Sequence, residues 1–274
     1  MLNFKKYVAS MATLSTVLLI SSSAWAMEVA FASSQTTLYW NSFSGLNDFT
    51  WFGKSTNAES RVASAWVMDG NVLKEAPASI PADTGWVNIN HTSSYSSYPD
   101  INASGVVAGD MLTASAVTEV IYPGNIYTAD AASWRNGVFS VSATSTYTFS
   151  IDYSFSQSLA ISGSPGSYAD ALSYIYCTLH EWNGTSWDLV ESPLIDYRNS
   201  LVGDVEVPYT SSVYDTGIQT FSFEHELESG KYYNFTGGGY TYSGAETPVP
   251  IPGAVWLLGS GLLGMIATRR KSAQ

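Results

Sequence analysis

The sequence holds a single cysteine, Cys177, among 274 residues. One thiol closes no internal disulfide and builds no multi-cysteine zinc site, so the fold rests on its core alone. Basic residues are scarce: 11 Lys and Arg stand against 23 Asp and Glu, a formal net charge of -12. Such a surface has little to neutralise phosphates with, which argues against a nucleic acid partner. Charged residues of both signs make up 12% of the chain, half the usual ~25%. No Gly-x-Ser-x-Gly elbow occurs, and Gly237-Gly238-Gly239 is followed by Tyr240 rather than by the Lys-Ser/Thr of a phosphate loop. What is abundant is aromatic: 18 Tyr, 11 Phe and 9 Trp, enough for a sizeable core and against global disorder.

Two uncharged apolar runs stand at the ends. Lys5 and Lys6 precede the apolar residues 7–20, and Ala24-Trp25-Ala26 follows. A charged start, an apolar stretch and an A-x-A triplet in that order predict a secretory signal, cut after Ala26 to leave Met27 first. At the other end Val249-Pro250-Ile251-Pro252 leads into residues 253–268, which carry no charge, and then Arg269-Arg270-Lys271. As a helix this run spans about 24 Å. That is short of the usual ~20-residue span, a difference that a thinned bilayer or flanking side chains absorb. The basic triplet places the chain end in the cytoplasm, consistent with a translocated N-terminus.

The last stretch, from Pro248 to Gln274, resembles the PEP-CTERM sorting signal of Gram-negative bacteria: a short Pro motif, a Gly-studded apolar helix and a basic end, in order. The family's motif usually reads Val-Pro-Glu-Pro, and Ile251 stands here in place of the Glu. The resemblance implies export by the Sec machinery across the inner membrane and transient anchoring by the tail. Recognition by an exosortase at Val249, Pro250, Ile251 and Pro252 would follow, then release or attachment at the cell surface. It also implies company with exopolysaccharide. An ordinary single-span anchor is the alternative.

Between the ends, residues 27–248 hold all 23 carboxylates and six basic residues. Their periodicity is that of an all-β protein. Over residues 139–155 the odd positions read Phe, Val, Ala, Ser, Tyr, Phe, Ile, Tyr, Phe, and the even positions from Ser140 to Ser154 are all Ser, Thr or Asp. A turn at residues 143–145 divides this into two strands. Residues 172–182, the hairpin signal Asn183-Gly184, and residues 187–191 predict a strand, a turn and its return. Residues 218–227 and 232–236 are further strands, with 38–52, 61–69, 85–89 and 111–122 as candidates, the last also compatible with a helix. Residues 90–105 and 162–168 read as loops, and residues 237–252 as a flexible linker. The expectation is one antiparallel, jelly-roll-like β-sandwich over residues 27–244, preceded by a signal peptide (1–26) and followed by the sorting tail (245–274).

Candidate chemistry is sparse. Cys177 and His180 are three apart on a strand and so face opposite ways. His91 falls in a polar loop, His180 shares a face with Tyr176 and Trp182, and His225 shares one with Phe223 and Leu227. Glu224, Glu226 and Glu228 recur every second residue, and Asp204 and Glu206 form a second acidic pair. Both clusters read as solvated faces or as calcium sites. Trp182, Trp187, Tyr174, Tyr176, Tyr240 and Tyr242 fit either core packing or stacking on sugar rings. The leading reading is a secreted or surface-sorted, non-enzymatic component of an extracellular polysaccharide matrix, with no cofactor. A carbohydrate-binding module and a glycoside or other secreted hydrolase are the rivals. An exposed row of aromatics separates the first rival from the leading reading, and two convergent carboxylates in a cleft mark the second.

Overall fold

The computed structural model describes residues 29–40, 49–66, 72–73, 86, 88–95, 98–121, 124–162, 166–203 and 209–248. Glu28–Pro248 forms one compact unit. The expected signal with Ala24 and Ala26, the tail with Val249–Pro252 and Arg269–Lys271, and the acidic pair Asp204 and Glu206 lie outside the described residues. Among the described residues no helix is long and apolar enough to cross a membrane.

Among the described residues, fourteen strands build two antiparallel sheets, as the alternation requires. Sheet A runs β4 (Ile89–Tyr95), β5 (Tyr98–Ala108), β6 (Met111–Val120), β1 (Val29–Tyr39), β8 (Ser145–Ser162). The free edge of β8 is shared end to end by β13 (Gln219–Leu227) and β12 (Tyr209–Asp215). Sheet B runs β3 (Val72–Leu73), β2 (Phe49–Trp66), β7 (Asn125–Val141), β14 (Tyr233–Glu246), β9 (Tyr168–Trp182). There β10 (Trp187–Glu191) and β11 (Leu194–Val202) share the edge of β9 in the same way. Beside this edge Tyr197 of β11 stacks on Tyr214 of β12 at 3.5 Å, and Asn199 donates to Ser212 Oγ at 2.9 Å, so side chains join the two sheets.

The core changes character along the strands. One end is aromatic: Phe149 stacks on Phe223 (4.8 Å) and Phe235 (5.6 Å), and Phe49 stacks on Phe139 (4.1 Å). Each such ring contributes about 1.5–3 kcal/mol by leaving water. The other end is filled by small side chains, among them Ala103, Ala114, Ala116, Ala129 and Ala131. A polar belt lies between. Ser34 and Ser173 hydroxyls meet at 2.7 Å, Thr241 donates to Ser34, and Gln157 donates to Ser173 Oγ and Tyr197 O. The sheets come so close near Gly105 that a Cβ there would meet Ala132 O and lie 2.8 Å from Glu59 O.

Several expectations hold. Met111–Val120 is a strand, β7 and β8 are separated at residues 142–144, and the β9–β10 hairpin turns at Gly184, whose φ of +100° favours glycine. Asn183 Oδ1 accepts the backbone N–H of Thr185 and Ser186 there. Others are corrected. Residues 90–105, expected as a loop, form most of β4 and β5; Asn90, Thr92, Ser94, Asn102 and Ser104 face outward on a sheet instead of decorating a turn, and Ser93 faces inward. Strand β1 begins at Val29, nine residues before the expected 38, and residues 86 and 88 precede β4 without joining it. The linker expected from residue 237 is the middle of β14, paired on both sides through Glu246, beyond the expected boundary at 244. Gly237, Gly238 and Gly239 are there because neighbours leave no room: added Cβ atoms would lie 3.0 Å from Trp40, 2.5 Å from Trp134 Cβ and 2.7 Å from Thr36 Cγ2, respectively.

Candidate functional site: the outer face of sheet B

The two outer faces differ in kind. Across sheet A one register row reads Asp215, Ser156, Gln35, Ser115, Ser104, Thr92. Across sheet B aromatic side chains enter such rows: one reads Asp196, Tyr174, Tyr240, Ala132, Glu59, and the next Leu194, Tyr176, Gly238, Trp134, Asn57. Alternation on β9 sends Ile175, Cys177 and Leu179 into the core and leaves Tyr174, Tyr176, Thr178, His180 and Trp182 on the other side. Antiparallel pairing then sets Gly238 beside Tyr176 and Trp134, and Tyr240 beside Tyr174. Without a Cβ, Gly238 lets Trp134 and the Tyr176 hydroxyl close over the strand. Tyr174 and Tyr240 stack at 4.7 Å with planes 23° apart.

A second aromatic group forms at the pole of the β9–β10 hairpin. Trp182 and Trp187 are register partners with rings 5.3 Å apart. With Val138 and Tyr232 they line an open depression of about 240 Å³. Phe52, 58% exposed beside a bulge in β2, packs edge-on against Tyr232 at 5.3 Å. Between the two groups lies an uncharged belt: His180 beside Asn234, Thr178 beside Thr236, and Asn136 donating to Thr236 Oγ1 at 3.0 Å. His180 Nδ1 and Asn234 Oδ1 are buried without a hydrogen-bond partner.

Charges gather beyond the tyrosines. Glu59 and Asp130 sit on neighbouring strands, with Arg61 the register partner of Asp130, and Asp196 of β11 is the partner of Tyr174. The buried Asp170 carboxylate receives two bonds from Arg198, Nε at 3.0 Å and Nη2 at 2.6 Å, which raises the guanidinium pKa. Burial raises the pKa of Tyr174, Tyr176, Tyr240 and Tyr242, with nearby acids adding to the effect, so these phenols stay neutral donors at any physiological pH. Tyr174, Tyr176, Tyr240 and Tyr242 were candidates from the sequence, but Trp134 was hidden from it, because it alternates with Ser133 and Arg135 and gives no apolar stripe.

The other candidates fall elsewhere. Glu224 and Glu226 point outward from β13, opposite Thr148 and Thr146, and Thr148 donates to Glu224 at 3.1 Å. Glu228 lies past the strand end, where Lys231 bridges it (2.8 Å) to Glu181 (2.8 Å). Among the described residues no group of three His, Cys, Asp or Glu is placed to hold a metal. Cys177 is in the core, with burial pushing its thiol up to about 12. His225 rests at the core rim, 3.3 Å from Glu191.

His91 is on β4 rather than in a loop, with Nδ1 2.7 Å from Ser60 Oγ. Ser60 donates to Ser93 Oγ, and Ser93 donates to Ser60 O. With the Ser60 proton committed there, His91 Nδ1 is the donor. A nucleophilic serine needs the reverse polarity, so this chain clamps β4 to β2 and does not arm Ser60. Arg135 faces inward instead, donating to Gly109 O and lying 5.6 Å from the Trp40 ring and 5.5 Å from that of Trp86; burial lowers its pKa, against the pull of Asp110.

Comparison with protein-family models and with curated proteins gives no match. Among solved structures, the Klebsiella pneumoniae type II secretion system outer membrane complex is 7% identical with a TM-score of 0.13, over 97% of this chain and 47% of that one. TmCBM61 in complex with β-1,4-galactotriose is 9% identical with a TM-score of 0.11, over 56% and 83%. The infectious bursal disease virus Gt strain structure is 12% identical with a TM-score of 0.15, over 89% and 74%. Likenesses this low carry no argument about fold or function.

Proposed function

We propose that the chain is an exported, surface-sorted protein of the PEP-CTERM kind that adheres, without catalysis, to extracellular polysaccharide through the outer face of sheet B. The observation that carries the adhesive reading is the asymmetry of the two faces. Ser, Thr and Gln side chains run across the middle of one, where the exposed apolar side chains Met111, Tyr209 and Val213 stand apart, while Trp134, Tyr174, Tyr176, Tyr240, Trp182 and Trp187 collect on the other. Aromatic side chains left on a solvent face of a sandwich cost solubility and return nothing to the core. Flat rings flanked by neutral hydrogen-bonding groups are what the apolar faces and hydroxyls of sugars require. Export rests on Lys5, Lys6, Ala24 and Ala26, and sorting on Val249–Pro252 with Arg269–Lys271.

The jelly-roll label fits the way the chain crosses between sheets from β6 to β7, β7 to β8 and β8 to β9. Strand β14 ends at the pole opposite the β9–β10 hairpin. The test is affinity electrophoresis of the exported protein in gels containing β-1,4-glucan, β-1,4-mannan, β-1,4-xylan or alginate. Retardation by at least one of them, lost on replacing Trp182 and Tyr240 with Ala, is expected. Equal mobility in every gel overturns the adhesive reading.

A further inference from the structure

The arrangement of the aromatic side chains says more than that a glycan binds, and the following rests on that reading. The rings form two groups, separated along the strands. At the hairpin pole are Trp182, Trp187 and Tyr232; nearer the middle of the sheet are Tyr174, Tyr240 and Trp134. Trp182 and Tyr174 lie on the same face of β9, eight residues apart, which is about 26 Å at ~3.3 Å per residue. No single sugar ring reaches both groups. What joins them is the belt of His180, Asn234, Thr178 and Thr236, which carries no carboxylate and no fixed cation.

We infer that sheet B binds one extended, uncharged polysaccharide chain running parallel to its strands, gripped at two aromatic stations and hydrogen-bonded by the neutral belt between them. Three observations point to this occupant. The rings at both ends suit the apolar faces of sugars. The belt between them is made of half-buried polar side chains, His180, Asn234, Thr178 and Thr236, of the kind that sugar hydroxyls hydrogen-bond to. The charges around the tyrosine station are mostly acidic (Glu59, Asp130 and Asp196 against Arg61), in a region with 23 acidic and six basic residues, which disfavours a polyuronate. Two weak stations joined by one ligand act through effective concentration, so affinity depends on whether the chain is long enough to reach both.

The experiment uses oligosaccharides of two, four, six, eight and ten sugars cut from whichever neutral glycan retards the protein, with alginate as the acidic comparison. Affinity is read by isothermal titration and folding by circular dichroism. Affinity is expected to rise gradually, then to step up by about 100-fold or more once the chain spans the stations. Replacing Trp182 and Trp187 with Ala should remove the step and leave short-chain binding at the tyrosines. Replacing Tyr174 and Tyr240 should remove the same step and leave short-chain binding at the tryptophans. Binding that shows no step, or that either double variant abolishes at every length while the fold is kept, overturns the two-station inference and leaves the adhesive reading standing. Tighter binding to alginate than to any neutral glycan overturns the assignment of an uncharged ligand. Failure to bind any of the four polysaccharides removes both.

Discussion

Replacing Gly238 with Ala tests the architecture at the point where sequence and structure disagree most. In a flexible linker the change only stiffens the unfolded chain and stabilises by about 0.4–1 kcal/mol. In β14 the new methyl lies 2.5 Å from Trp134 Cβ and 2.8 Å from both Ser133 O and the Tyr176 hydroxyl. Ordinary carbon contacts are ~3.5–4.0 Å, so several groups must each move by about 1 Å, and Ser133 O belongs to the backbone of the neighbouring strand. Overpacking of this kind costs about 1–3 kcal/mol. After subtracting the gain in the unfolded chain, the net loss is about 1–2 kcal/mol. Gly239→Ala meets only the Thr36 side chain within 3.4 Å, so its loss is smaller, about 1 kcal/mol. Gly53→Ala meets nothing within 4 Å and serves as the control, neutral to slightly stabilising. Guanidinium chloride titration followed by tryptophan fluorescence should lower the midpoint of Gly238→Ala by about 0.3 M, for a slope near ~5 kcal/mol/M. A Gly238→Ala midpoint at or above that of Gly53→Ala refutes the close packing of β14.

Phe149→Ala, which empties the site stacked on Phe223 and Phe235, should cost about 3–5 kcal/mol, whereas the adjacent outward-facing Thr148→Ala should cost well under 1 kcal/mol in the same titration. Stability should fall as pH rises above about 9: the Cys177 thiol keeps its proton to about 12 when folded but loses it near 9.0 when unfolded, and the buried tyrosines act in the same direction. Cys177→Ser should reduce that alkaline slope, and an unchanged slope in a folded variant would argue that the tyrosines alone set it. Mass spectrometry of the exported protein should find Met27 as the first residue, and retention of residues 1–26 rules out the signal cleavage. Cells with and without an exosortase should differ in C-terminal mass, and replacing Pro250 and Pro252 should block that difference; equal masses leave a permanent anchor.

Some of this protein is determined by local sequence. The alternation of β8, the hairpin at Asn183-Gly184 and the strand at Met111–Val120 are legible because polar side chains there face water and apolar ones face the core. The signals expected at the two ends are linear patterns, read without any fold, and lie outside the described residues. The core burial of Cys177 follows from its neighbours on β9. Other features arise only when strands come together. In the middle of β7 Ala129, Ala131 and Ser133 face inward while Trp134 faces out, so hydropathy inverts the true burial there. The physical reason is the spacing of the sheets: where backbones nearly touch, inward residues must be small, and large rings are displaced to the outer face. Crowding likewise makes a strand of Gly237-Gly238-Gly239, which in isolation reads as the most flexible part of the chain: Trp40 and Thr36 press on Gly237 and Gly239 from within, and Trp134 and Tyr176 of the same sheet close over Gly238 on the outer face. Pairing across four strands then gathers tyrosines and tryptophans from distant segments into one aromatic face, because register, which no single segment contains, decides which of them become neighbours.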